Sequence, residues 1–189
     1  KKWNKEYIFA RNQGTGYSDN IHQEKCMAAN GMGGWSGLCP TQELVDAYEM
    51  ANGSTPIIGY NADGTPIING SSGYSATAGK HYPAGVYNMY VGREPRFYAS
   101  INFNGQQWRG RQLEFWQGGK DGINVSKVDY CCTGYLLRKT ADEGVDVING
   151  KGGMKEASIL FRVGSLYLDY AEALNEAEGP VDDVYKYVD

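Results

Sequence analysis

The stretch ASILFRVGSLYLDYAEALNEAE, from Ala157 to Glu178, decides how the rest of the chain is read. Apolar side chains at Ile159, Val163, Leu166, Tyr170, Leu174 and Ala177 recur at steps of three and four, one stripe of an α-helix. A second row, Leu160, Gly164, Tyr167, Leu168 and Ala171, widens that stripe past half the circumference and predicts a helix packed on both sides. At the α-helical rise these 22 residues span roughly 33 Å. Gly179-Pro180 stops the run, a glycine C-cap followed by a residue that cannot continue a helix. The period then resumes at Val181, Val184, Tyr185 and Val188, with Asp182 and Asp183 suited to the positive end of a helix dipole. It breaks off at Asp189 after about two turns, too short to stand alone. A long helix, a Gly-Pro turn and a new helix are the start of an αα-hairpin, the unit of stacked helical repeats. One such hairpin cannot bury its own faces, so the sequence reads as a fragment whose helical partners lie elsewhere.

Composition narrows the class. The 189 residues carry a net charge of −4 and are 41% hydrophobic, enough for one domain with a core. Twenty-six glycines and fifteen tyrosines point to many turns and to aromatic surface beyond what a core needs. Scattered Lys and Arg form no stripe for nucleic acid, and no apolar run of about 18 residues is present to span a membrane. The opening Lys1-Lys2-Trp3-Asn4 lacks the apolar centre of a signal peptide. The four cysteines, Cys26, Cys39, Cys131 and Cys132, have no C-x-x-C spacing, and the two histidines are His22 and His81, which argues against a structural zinc site. A Cys26–Cys39 bridge would close a short glycine-rich loop, and free buried thiols are the expected alternative.

Taken in order, Glu6 to Arg11 (EYIFAR) reads as a strand or the tail of a helix. Asn12 to Cys39 holds six glycines and no sustained period, a long loop of the kind that is usually functional or disordered. It carries Tyr17, Asn20, His22 and Trp35. An indole flanked by Gly33, Gly34, Ser36 and Gly37 either stands exposed or folds back as a plug. PTQELVDAYEMANG, Pro40 to Gly53, predicts a helix of about ten residues, capped by Thr41 and burying Leu44, Val45, Tyr48 and Ala51. Thr55 to Gly70 predicts a hairpin turning at Asn61-Ala62-Asp63-Gly64, with Tyr60 near its tip.

Residues 71–91 mix glycine with Tyr74, His81, Tyr82, Tyr87 and Tyr90, a second exposed aromatic loop unless Tyr87 and Tyr90 are core. REPRFYASINFNGQQW, Arg93 to Trp108, predicts β structure, with Phe97, Ala99, Ile101 and Phe103 alternating, Asn104-Gly105 as hairpin turn and Pro95 ruling out a helix across it. Arg93 and Arg96 read as internal salt-bridge groups in preference to an anion clamp. Gln117 to Ser126 is loop, TGYLLRKT (Thr133 to Thr140) a strand, and Asp142 to Gly153 a connection into Glu156.

Five phrases in order, NKEYIFA (Asn4 to Ala10), PTQELVDAYEMANG, REPRFYASINFNGQQW, TGYLLRKT and FRVGSLYLDYAEALNEAEG (Phe161 to Gly179), resemble the signatures of the SusD/RagB family and cover about a third of the residues. Arg93-Glu94-Pro95-Arg96 varies the usual Arg-Asp-Pro-Arg, and the glutamate that usually follows the Arg-Tyr-Ala phrase is replaced by Gly164. The resemblance implies a mainly α fold with irregular loops and short β-hairpins on a tetratricopeptide-type scaffold, here incomplete. It makes residues 1–189 a single region, with ligand-surface segments at 12–39 and 71–91 and a helical hairpin repeat starting at 156–189. It also implies a surface lipoprotein of the Gram-negative outer membrane that binds glycans, or peptides in some branches. Such proteins pass their ligand to a TonB-dependent transporter of the SusC type and are not enzymes. The lipid-bearing cysteine is expected upstream of Lys1, and no cofactor is implied.

Loop chemistry agrees with a sugar ligand. A sugar ring offers a C–H face to an aromatic platform and a rim of hydroxyls to amide, carboxylate or imidazole partners. Trp35, Tyr17, Asn20 and His22 supply that mixture, with Tyr60, Tyr74, Tyr82 and Trp116 in reserve. A glycoside hydrolase fragment would need two carboxylates across a cleft. Asp169, Glu172 and Glu176 share one helical face, which makes no cleft, and no G-x-S-x-G, H-E-x-x-H or phosphate loop is present.

Overall fold

The apolar runs at the two ends of the sequence, YIFARN and ASILFR, turn out to be partners. The computed structural model describes residues 5–12, 17–123, 128–151 and 157–188, without the side chains of residues 12, 17–20, 157 and 158. In chain order the elements are β1 (Tyr7–Asn12), α1 (Tyr17–Met27), α2 (Gln42–Asp46), β2 (Ile57–Tyr60), β3 (Pro66–Ile68), α3 (Pro95–Ser100) and β4 (Ile101–Asn102). They continue as β5 (Gln107–Trp108), β6 (Arg111–Gln112), β7 (Leu136–Leu137), β8 (Ala157–Arg162), α4 (Val163–Glu178) and α5 (Asp182–Val188). The strands form separate two-stranded sheets, β1–β8, β2–β3, β4–β7 and β5–β6. Two compact units result, one from residues 1–16 and 155–189, the other from 17–154.

In the first unit β1 and β8 run antiparallel, with Tyr7 opposite Arg162, Phe9 opposite Phe161 and Asn12 opposite Ala157. The helix expected from Ala157 therefore starts six residues late. Ile159 and Phe161 suit a pleated surface as well as a helix face, and pairing with YIFARN gives their main chain partners that settle the choice. Glu6, just ahead of β1, caps the true helix start. Its carbonyl accepts from the Val163 amide at 2.9 Å and its Oε1 from the Gly164 amide at 3.0 Å. A Cβ at Gly164 would lie 3.0 Å from that same oxygen. The Glu6 carboxylate thus occupies the space that a larger residue at 164 would need.

α4 ends at Gly179 (φ 80°), whose amide donates to Asn175. α5 packs against α4 through Tyr187, 5.7 Å from the Tyr167 ring and 4.9 Å from that of Tyr170. Ala171 and Val184 are buried in this hairpin, while Leu166, Tyr167, Leu168 and Tyr170 stay about half exposed.

The second unit departs most from expectation at its start. Tyr17–Met27, read as part of a long loop, is α1. Its buried row is Ile21, Glu24 and Met27, and the carboxylate in that row interrupts the apolar period by which a helix is recognised. Glu24 is fully buried; its Oε2 lies 2.5 Å from Arg109 Nη2 and its Oε1 accepts from the Asp142 amide at 3.1 Å. Arg109 Nη2 also donates to the Asp142 carbonyl at 2.7 Å. Arg109 itself stands at φ 46° in the turn between β5 and β6.

α2 is capped by Thr41 as expected, its Oγ1 accepting from the Leu44 amide at 3.4 Å, but it runs five residues and not ten. Val45 is buried and Leu44 half exposed. The helix stops where Arg93 takes its carbonyls: Nη2 donates to Val45 and to Tyr48 (2.7 Å), and Nη1 to Met89 (2.9 Å). Arg93 is 2% exposed, and burial holds its guanidinium below its ordinary pKa. Read from sequence as a salt-bridge group, it serves instead as a donor to main-chain oxygens, whereas Arg96 pairs at the surface with Glu94 at 2.6 Å.

The β2–β3 hairpin forms where expected, turning at Asn61–Gly64 with Gly64 at φ 81°. The region 93–108 does not follow its predicted alternation. Pro95 begins α3 in place of barring a helix, since proline fits the first helical turn. Asn104-Gly105 does turn, with Gly105 at φ 83°, yet the strands beside it pair elsewhere, β4 with β7 and β5 with β6. Of the segments read as loop or connection, residues 13–16, 124–126, 152 and 153 fall outside the described part, as does Glu156.

The core gathers Val45, Ile57, Val86, Phe97, Ile101 and Phe103 around Tyr90, whose ring lies 4.6 Å from Phe103 and 6.1 Å from Tyr135. Tyr90 is therefore core, as its alternative reading had it.

Two outcomes follow from the buried charges. Arg93→Ala removes a buried donor to three carbonyls, those of Val45, Tyr48 and Met89, and should lower the unfolding free energy by about 3 kcal/mol, while Arg96→Ala leaves the urea midpoint unchanged. Glu24→Ala strands a buried guanidinium and should remove about 3–5 kcal/mol, measured by the same denaturation followed through tryptophan emission.

Candidate functional site

The site begins with a helix end. The last carbonyls of an α-helix have no partners within it, and in α1 the following loop supplies them. Trp35 N donates to Lys25 O (2.7 Å), Gly37 N to Cys26 O (2.8 Å) and Leu38 N to Cys26 O (3.0 Å). Gly34 N donates to Ala29 O and Ser36 N to Ala28 O, each at 3.0 Å. So close an approach excludes a side chain: a Cβ at Gly34 would lie 2.0 Å from the Ala28 oxygen. Here glycine serves proximity, and the loop after α1 is fastened along its whole length.

This fastening sets the indole of Trp35 on the outer side of α1. Its ring centroid is 5.3 Å from that of His22, tilted by 33°, and Lys25 Nζ stands 5.3 Å from it. Trp35 remains 39% exposed, so it is neither sealed nor detached. His22 is exposed and Lys25 half-buried. An aromatic face, an imidazole and an ammonium thus converge within one helical turn. Tyr17 and Asn20 lie on the first turn of the same helix, with their side chains outside the described part. Lys25 escaped the sequence reading because a lysine in a polar run carries no signal until the helix brings it three residues round from His22.

The other sequence candidates lie at different places. Tyr74, 70% exposed, meets Tyr87 edge-on at 5.4 Å. With Tyr82 it lines a cavity of about 410 Å³ that also includes Ile68, Asn69 and Asn88. Tyr82 and His81 both stack on Tyr98, at 6.2 and 4.9 Å. Tyr60 donates its hydroxyl to Asp46; burial first, and then that carboxylate, push the phenol up to about 12, so it stays protonated. Trp116 is half exposed in a separate loop.

A larger cavity, about 790 Å³, opens beside Gly31 and Met32, a few residues ahead of Trp35. Arg109, Arg111, Glu143 and Asp146 stand in its wall. Arg111 is held by Asp121 at 2.6 and 2.7 Å. Among the described residues nothing partners Arg109 Nε or Nη1. Sequence reading missed this wall, although the two arginines flanking Gly110 were its visible mark. Among the described residues no cluster of three metal-ligating side chains forms.

Three solved structures share the fold: BT4246 in selenomethionine form (24% identity, TM-score 0.60), a SusD-like protein from Bacteroides fragilis (27%, 0.56), and a SusD-like carbohydrate-binding protein from the same organism (20%, 0.57). The matches cover 98%, 98% and 94% of this chain but 33%, 34% and 31% of theirs, so the chain spans about a third of the length of the structures it matches. No curated protein sequence matches it. The family model for SusD matches residues 3–189, and the chain belongs to the SusD family.

Proposed function

We propose that this chain is the ligand-gripping portion of a cell-surface glycan-binding protein, with Trp35, His22 and Lys25 as the platform. The observation that carries the reading is Trp35: a large ring left 39% exposed on a loop whose main chain is hydrogen-bonded to the end of α1. A ring that is held rigid and still open loses little freedom when a sugar face covers it. His22 and Lys25, each 5.3 Å from the Trp35 ring centroid, supply an imidazole and an ammonium as partners for sugar hydroxyls, and the neighbouring 790 Å³ cavity has room for further rings. Tyr17 and Asn20, on the first turn of the same helix, are further candidates, with Tyr74 and Tyr82 at a secondary cavity and Tyr60 at Asp46.

The captured oligosaccharide passes to a SusC-type TonB-dependent transporter, and the protein sits on the outer membrane through a lipid anchor upstream of Lys1. Membership of the SusD family supports this, as does a relative in fold described as carbohydrate-binding. The helical scaffold of this reading is of the tetratricopeptide type, for which the α4–α5 hairpin is the supporting element. The protein binds without turnover: Asp169, Glu172 and Glu176 all stand exposed on α4, and carboxylates on one helix do not flank a scissile bond. A peptide, as in RagB-like branches, is the alternative ligand.

Trp35→Ala should weaken binding by at least about 30-fold, the cost of losing an interface anchor, with thermal unfolding unchanged. Titration calorimetry against a panel of oligosaccharides checks it. Retained affinity in the variant together with loss in Tyr74→Ala would move the site to the smaller cavity. Binding of peptides alone would transfer the reading to the alternative.

A further inference from the structure

Cys39 and Cys131 are 92 residues apart in sequence, and their Sγ atoms are 3.7 Å apart. Each sulfur is also held by a carbonyl, Cys39 by Ser36 at 3.1 Å and Cys131 by Tyr135 at 2.9 Å. The backbones are tied beside them, Leu137 N donating to Leu38 O at 2.9 Å. The remaining cysteines face elsewhere: Cys26 lies against Gly37, and the exposed Cys132 turns to the Tyr130 carbonyl at 3.8 Å. The sequence expectation of buried thiols therefore holds for Cys131 alone, and the pairing weighed there, Cys26 with Cys39, is not the one the fold prepares.

We propose that Cys39 and Cys131 are a redox pair that closes to a disulfide at the base of the Trp35 loop when the protein meets an oxidising compartment. The oxidant is a disulfide of the glutathione or thiol–disulfide oxidoreductase class. Cys39, half-buried and open to reagent, attacks one sulfur of that disulfide as its thiolate and expels the other as a thiolate. Cys131 then gives up its proton to the departing thiolate and attacks Cys39 Sγ, releasing the second thiol. Two cysteine thiols are oxidised, and one disulfide is reduced to two thiols. The roles are set by position: the hydrogen bond between the two sulfurs draws the Cys39 thiol down to about 6, while the same bond and burial push Cys131 up.

Bond formation needs the sulfurs to close from 3.7 Å to about 2.05 Å, a movement side-chain rotation can supply. The link would fasten the segment between Trp35 and α2 to the segment entering β7. It is independent of which ligand the platform takes.

The test uses the full chain, purified reduced, treated with oxidised glutathione, alkylated and mapped without reduction. The expected map shows a Cys39–Cys131 cross-link with Cys26 and Cys132 alkylated, and a rise in Tm on the order of 10 °C that dithiothreitol reverses. A Cys26→Ala/Cys132→Ala double variant keeps both results, and Cys39→Ser loses both. Linkage of Cys39 to Cys26 or Cys132, a glutathione adduct that persists on Cys39, or four free thiols under excess oxidant would each overturn the proposal.

Discussion

A carboxylate and a guanidinium withdrawn together from water constrain most of what is described above. Glu24 and Arg109 each lose hydration that no apolar neighbour can replace, so each charge is set on the other: both Glu24 oxygens accept hydrogen bonds, and Arg109 Nη2 donates to Glu24 and to the Asp142 carbonyl. That demand draws three distant pieces of chain to one point: the middle of α1, the β5–β6 turn and the segment at Asp142. It also sustains a non-glycine residue in a left-handed backbone conformation at position 109. Once α1 is seated, the direction of its last carbonyls follows, then the path of the loop that satisfies them, and then the outlook of Trp35.

The parts that could be read from the residues are those whose local signals agree with one another. The β2–β3 turn has Asn and Gly where the backbone needs them, and α4 has a glycine stop and an acidic restart. The misreadings share a cause. In α1 a buried acid stands where the period asks for an apolar residue. In α3 a proline starts the helix where, in a helix interior, it would forbid one. At β8 six residues fit two periods, and a partner at the far end of the chain chose between them. Long-range pairing leaves no mark on a local pattern.

For the site, residue type alone picked out the aromatic ring and the imidazole that the fold brings together. It could not supply Lys25 or Arg109, because an isolated cation gains meaning only from its neighbours in space. The glycines carried a mixed message. They marked the Trp35 segment as special, yet their effect at Gly34 is to let one backbone lie against another, which stiffens the segment. An aromatic residue among glycines is consequently a rigid fixture here, and the entropy of holding it is met during folding and not during binding.

The pairing of β1 with β8 also bears on synthesis. The unit made of residues 1–16 and 155–189 encloses the whole of 17–154 in its sequence. A ribosome delivers β1 long before its mate exists, so the first strand must wait, with its edge uncovered, while the intervening 138 residues emerge and collapse on their own. Nascent-chain folding should accordingly proceed from the inside outward, the inserted unit first and the embracing one last.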